Sequence, residues 1–349
     1  MSLYQPSFFD ESERLAALSK LCDPLEALSR YIDFEQFRGQ LDGAFDREKQ
    51  AVGRRPYDTV LMFKILILQR LYNLSDEQVE FQITDRLSFT RFLGLKLGSR
   101  IPDFSTVWRF RESLTEAGVV KGLFDQFTRH LEQKGVIGKT GVIVDASFVE
   151  VPRQRNSRDE NKKIKDGAVP EDWKNNPDKL SHKDVDARWT KKNHQTFYGY
   201  KDHVRTDATT VLITDYVVTD AAVHDSEVLD QLVSEKDQGK SLWGDSAYKS
   251  RETDQLLKDW KIENQIHEKG ARNRPLTKEQ KDHNRQKSRI RCLVEHIFGH
   301  IETSMRGPEL AYIGFKRIAC GVGLANLAYN MSRFTQLVRL GRIPTAAVA

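Results

Sequence analysis

The chain has 349 residues, 39% hydrophobic and 30% charged, with a formal net charge of +5; that length suggests two or three domains around a substantial core. No apolar run approaches the roughly 20 residues of a membrane span, and the start MSLYQPSFFD lacks the basic-then-apolar layout of a signal peptide. Cys22, Cys292 and Cys320 form neither a zinc pattern nor a disulfide framework, so a reducing cytoplasm is expected.

Residues 1–50 hold 6 Lys and Arg against 10 Asp and Glu. From 11 to 50 the pattern is helical in pieces, with Pro24 suited to a first turn and Gly39 and Gly43 as breaks. After the loop VGRRP, which ends at Pro56, YDTVLMFKILILQRLYNL is apolar almost all round, which predicts a buried central helix. Ser75 and Gln78 have capping-box spacing and open the next helix, with Val79, Ile83 and Leu87 on its apolar side. FTRFLGLKLGSRIPD is a loop-rich joint. Asp103 then caps a helix to about Ala117, stopped by Gly118. Residues 75–117 read either as a helix–turn–helix with Arg109 and Arg111 on DNA or as a plain bundle with a mixed surface. One more amphipathic helix ends at Gly135, so residues 1–135 are expected to form an all-helical domain.

The texture changes at Gly141. GVIVDASFVEV is a β-branched run carrying Asp145. Residues 152–195 hold 12 Lys and Arg, 8 Asp and Glu and three prolines, which predicts a long polar surface insertion without order of its own. TFYGYKDHVRTD and TTVLITDYVVTD follow as two strands turning at Thr206-Asp207, then a helix over 226–234. SLWGDSAYKS reads as a short buried strand that ends at Asp245. A helix over 251–259 and a strand in KIENQIHE come next. Residues 269–291 hold 9 Lys and Arg against 2 Asp and Glu and lead into a long helix, about 277–303, ended by Gly307-Pro308. A last apolar helix covers about 315–340. This alternation predicts an α/β domain over 136–349 with a sheet of mixed direction. The basic block is either a polyanion contact, through Lys281, Arg285, Lys287, Arg289 and Arg291, or a solvated helix face.

Asp145 and Asp245 each follow an apolar strand. If those strands are adjacent and parallel, both carboxylates emerge at one edge of the sheet. Glu295 lies on the late helix, at the border of a stripe made by Ile290, Leu293, Ile297 and Ile301. Three carboxylates with no clustered His or Cys favour hard cations such as Mg²⁺ or Mn²⁺. Two such ions suit an in-line phosphodiester displacement. His203, His224 and Asp225 are either site-lining or hydrogen-bonded structural groups.

The ordered series VDASFVEV, FYGYKDHV, VTDAAVHDSEVL, LWGDSAY and RxRxxVEHxFG resembles the DDE transposases of bacterial insertion sequences, most of all the IS-five group. The helical start resembles that group's N-terminal domain, and the likeness covers about residues 45–335. It implies a ribonuclease-H-like catalytic core with two divalent ions on Asp145, Asp245 and Glu295. It also implies cleavage and strand transfer at terminal inverted repeats, double-stranded DNA as partner for both repeat and target, a homodimer in the DNA complex and a place at the bacterial nucleoid. Arg291 matches the arginine of the signature around the glutamate. Ser288 and Glu302 stand where that signature has Tyr and Lys.

Two other readings differ in class. A catalytically retired, transposase-derived DNA-binding protein would keep the basic surface without cleavage. A zinc hydrolase built on His296 and His300 has helical spacing, but HExxH is absent and Cys292 stands where the reversed motif needs His.

Overall fold

The computed structural model describes residues 10–45, 56–96, 98–138, 141–192, 194–271, 274–305 and 310–343. The expectations for the first nine residues, for most of VGRRP and for Gly307-Pro308 fall outside these. Contacts divide the chain into two units, 1–119 with 331–349, and 120–330.

The first unit is helical: α1 (Asp10–Lys20), α2 (Pro24–Tyr31), α3 (Arg38–Gly43), α4 (Thr59–Tyr72), α5 (Asp76–Asp85), α6 (Leu87–Leu93) and α7 (Phe104–Ala117). Pro24 opens α2 with Asp23 as its cap. Gly39 does not break the chain but lies inside α3. Ser75 and Gln78 form the expected capping box, Asp103 caps α7 through the Thr106 amide, and Gly118 ends it at φ +64°. α4 is buried along most of its length, as its all-round apolarity requires. Its Phe63 meets Phe37 and Phe34 with ring centroids 5.2 and 6.3 Å apart.

The second unit starts with α8 (Val120–Gln133), whose Phe124 packs edge-on against Tyr216. Its strands are β1 (Gly141–Glu150), β2 (Arg188–Lys192), β3 (Gln195–Asp207), β4 (Ile213–Asp220), β5 (Ser241–Trp243) and β6 (Glu263–Asn264). β1, β3 and β4 form an antiparallel meander, and β5 and β6 continue it in parallel from β1. The order β4-β3-β1-β5-β6 is that of a ribonuclease-H-like sheet, and the α/β expectation with a mixed sheet holds. β2 adds to β3 beyond the end of β4. β6 is two residues long and pairs with Ser241 and Leu242 of β5.

Within the chain the insertion is ordered and carries helices that its lack of periodicity did not predict. It holds α9 (Arg158–Lys165), α10 (Glu171–Lys174) and α11 (Pro177–Ser181) before β2. The reason is a small satellite core: Trp173 is fully buried, Ile164 and Ala187 are buried near it in sequence, and Glu160 both closes a capping box with Ser157 and accepts from the Trp173 indole at 2.7 Å.

One face of the sheet packs Val142 and Val144 against Val228, Leu232, Leu257 and Tyr248. These come from a 3₁₀ turn at Asp225–Val228, α12 (Leu229–Leu232), a 3₁₀ turn at Ser246–Tyr248 and α13 (Arg251–Asp259). The expected late helix is two, α14 (Lys278–Arg291) and α15 (Glu295–Thr303), joined by a 3₁₀ turn at Cys292–Val294. α16 (Phe315–Arg339) closes the chain; its Asn330 side chain both accepts from and donates to the backbone of Ile213, completing the pairing of β4 where the sheet ends. No helix among the described residues is long and apolar enough to cross a membrane.

On β3, Asp202 is buried and its Oδ2 accepts from the Asn326 amide nitrogen at 3.0 Å, while Asp202 Oδ1 and the Asn326 oxygen have no partner. A proton on Asp202 supplies the donor that the pair lacks. Burial pushes its carboxyl up to about 7, against the Asn326 hydrogen bond. The folded value lies above the ordinary one, so this stability is full below about pH 4 and is lost as pH rises towards 7. Asp202→Asn, which keeps the shape and removes the titration, is expected to be more stable than wild type at pH 8 by on the order of 3 kcal/mol, and equal to it near pH 4. Denaturant melts at the two pH values check this, and parallel curves would refute it.

Candidate active site

β1 and β5 run parallel, with Ile143 level with Trp243. Asp145 and Asp245 each lie two residues further on; β5 has ended there, but β1 continues to Glu150, so Asp145 sits midway along its strand opposite Val204 of β3 rather than at the strand end expected from the sequence. Asp145 is buried; its Oδ1 accepts from the Ala146 amide at 2.9 Å. Burial pushes its carboxyl up to about 6; the neighbouring Asp245 pushes the same way, while the Ala146 amide, Arg291 and Lys192 of the insertion oppose. Asp245 caps the turn that follows, accepting from the Ala247 amide at 2.7 Å.

The late helices bring in the third carboxylate. The side chain of Glu295, first residue of α15, is 59% exposed, while Val294 and Ile297 beside it are buried. Ile290, Leu293 and Ile301 of the expected stripe are only half-buried. The Arg291 guanidinium joins the set: it donates to Asp145 Oδ2 at 2.8 Å and to Glu295 Oε1 at 2.5 Å. Asp145 and Glu295 thus converge on one guanidinium, and Asp245 stands beside Asp145.

The other expected residues divide. Lys281, Arg285 and Arg289 are exposed on α14, a helix with no buried residue. Lys287 is half-buried and donates to the Ile266 carbonyl at 3.0 Å. Residues 272 and 273 of the basic block lie outside the described ones. Arg109 is exposed on α7. Arg111 is not: it is buried and holds both carboxylate oxygens of Asp76 at 2.7 and 2.6 Å. This bidentate pair fastens α7 to α5, which removes Arg111 from the DNA-facing set.

His203 is fully buried, with Nε2 2.9 Å from the Thr219 hydroxyl. Burial holds it down to about 4, against the pull of Asp225, so it is neutral. Asp225 is buried and paired with Lys201 at 2.8 Å. His224 is exposed and caps the 3₁₀ turn through Ser226. None of the three shares a hydrogen bond with the carboxylate set.

Two neighbours of the site were not singled out from sequence. Tyr248 is fully buried, its hydroxyl without a hydrogen-bond partner; burial, then Asp145, Asp225 and Asp245, push its ionisation well up. His267 follows β6, with its ring 3.3 Å from the Ser288 hydroxyl, and burial, then Arg291 and Lys287, push it down while Asp245 opposes. Both lie in stretches whose aromatic or imidazole groups have no periodicity that marks them.

Residues 137–331 match the family described as "Transposase DDE domain", and residues 13–113 match "Transposase domain (DUF772)". The first covers more than half of the chain, which therefore belongs to the DDE transposases, enzymes that act on DNA by divalent-cation-dependent cleavage and strand transfer. Among solved structures, the chain is similar to the cryo-EM structure of the piggyBac transposase synaptic complex with hairpin DNA, at 12% identity and a TM-score of 0.46, over 91% of this chain and 76% of that one.

The carboxylate set fits the cation of this class in donor chemistry. All three groups offer oxygen ligands, and the positive charge between Asp145 and Glu295 is supplied here by Arg291. Among the described residues, no three His, Cys, Asp or Glu side chains are already gathered as a cation cage. This includes the neighbourhood of His296 and His300, where His300 packs edge-on against Tyr329 instead.

Proposed function

We propose that this chain is the transposase of an insertion sequence of the IS-five group, acting at the nucleoid as a homodimer on terminal inverted repeats. In this reading residues 1–135 bind DNA or hold the dimer together, and 136–349 carry the chemistry. One observation carries it: Asp145 on β1 and Asp245 just past β5 lie level on adjacent parallel strands, with Glu295 on the same guanidinium as Asp145. Asp145, Asp245 and Glu295 would hold two Mg²⁺ or Mn²⁺ ions. Such ions, when bound, make a hydroxyl nucleophilic and stabilise the leaving oxygen of a phosphodiester. Asp145 is presented by a rigid central strand, and Asp245 is fixed by its own capping hydrogen bond. Glu295 lies on the solvent side and can adjust. The exposed cations of α14 flank this site and suit contacts to the DNA backbone.

Two measurements test the reading. Wild type is expected to cut DNA carrying the element's inverted repeats in Mg²⁺, and neither in EDTA nor on scrambled ends; absence of cutting on cognate ends in either ion would sink it. Neutralising Lys281, Arg285, Lys287 and Arg289 together is expected to flatten the log-log salt dependence of DNA binding by about 3 units, close to one per phosphate contact. An unchanged slope would show that α14 is only a solvated face.

A further inference from the structure

We propose that Arg291 is the resting counter-ion of the carboxylate site, and that a divalent cation can enter only as Arg291 withdraws. The proposal rests on the reading of Asp145, Asp245 and Glu295 as cation ligands, and adds the residue that governs access to them.

The geometry is that of a cation already in place. The guanidinium bridges Asp145 and Glu295 through separate nitrogens. Its side chain is 20% exposed, against 12% for that of Asp145. Asp145 is buried on β1 with Asp245 on the neighbouring strand beside it. Without the direct Arg291 contact, a buried carboxylate so placed is costly. A divalent ion would draw on the same carboxylate charge and would repel the guanidinium at close range. The two cations are therefore alternatives.

Withdrawal needs another partner. The planar fork of an arginine matches two phosphate oxygens as well as it matches carboxylates. DNA brought to this site offers such a group. Arg291 could then exchange carboxylate for phosphate, leaving Asp145 and Glu295 open to the cation. Cation loading and DNA loading become positively coupled, each favouring the other by the same factor. The contrary arrangement is a positioning role, in which Arg291 holds the carboxylates ready for the ion; its loss would then weaken cation binding.

The test is Mn²⁺ titration of the full-length protein by calorimetry, with thermal melts in EDTA and in Mn²⁺, for wild type, Arg291→Gln and Arg291→Met. Both variants are expected to bind Mn²⁺ about tenfold more tightly than wild type without DNA. In EDTA both should melt below wild type, and the rise in Tm on adding Mn²⁺ should be larger in them. Inverted-repeat DNA should tighten Mn²⁺ binding by wild type and leave the variants nearly unchanged. Equal or weaker Mn²⁺ binding by the folded variants would overturn the exchange. If both variants misfold, wild type alone decides, because an Mn²⁺ affinity indifferent to DNA is incompatible with it. Failure of wild type and variants alike to bind Mn²⁺, with or without DNA, would instead remove the carboxylate reading beneath it.

Discussion

Asp145→Asn is expected to lower Mg²⁺-dependent DNA cleavage at least about a thousandfold while the protein stays folded and binds DNA. The substitution keeps the size of the side chain, and its oxygen can still accept from the Ala146 amide. What it removes, on the proposed reading, is a negative cation ligand on β1. Its effect on stability should be small or favourable. Burial holds the Asp145 carboxyl up at about 6, so at neutral pH the folded chain bears an unfavourable ionisation that Asn lacks. Against this, the variant loses the bond to Arg291, which keeps Glu295 as partner. Cleavage rates, a gel shift and a thermal melt on one preparation separate these effects. A variant that cuts at even a tenth of the wild-type rate would take Asp145 out of the chemistry.

Gly199→Ala should show the opposite pattern, a large loss of stability in a residue that touches no reacting group. Gly199 lies on β3 where β1 and β2 both pair with it, at φ +145°, a conformation that side chains rarely adopt. A Cβ there would stand 2.3 Å from the Val149 carbonyl oxygen. That atom belongs to the neighbouring strand and cannot swing aside. Backbone strain and overpacking together should destabilise the second unit by about 3 kcal/mol or more, on the order of 10 °C in Tm. Activity per folded molecule should be retained at low temperature. A variant with wild-type Tm would mean that β3 bends freely at this point.

The contrast shows which parts of the molecule could be read in the sequence. Asp145 and Asp245 were visible because each follows an apolar run, and the parallel register of β1 and β5 then places them together, although β1 continues past Asp145 to Glu150. The starts of α5 and α7 were legible from Ser75 and Asp103, whose side chains act on backbone amides within three residues. Contacts set by tertiary structure were not. Arg111 looked like a surface cation on α7 until Asp76 of α5 came to meet it. The insertion looked featureless because its order depends on one tryptophan, Trp173, and a capping box rather than on a periodic pattern. The break between α14 and α15 falls at Cys292–Val294, where nothing in the sequence interrupts the helix. Arg291 could be matched to a family signature, but its seat between Asp145 and Glu295 follows only from the fold.

Anomalous diffraction from crystals soaked in Mn²⁺ together with inverted-repeat DNA locates the cations against the three carboxylates. The expected result is an anomalous peak coordinated by carboxylate oxygens of both Asp145 and Asp245, at about 2.0–2.2 Å, with Glu295 turned towards it or towards a second peak about 3.5–4 Å away. Peaks only at other carboxylates, or an Arg291 still bridging Asp145 and Glu295 with DNA and Mn²⁺ in place, would contradict it.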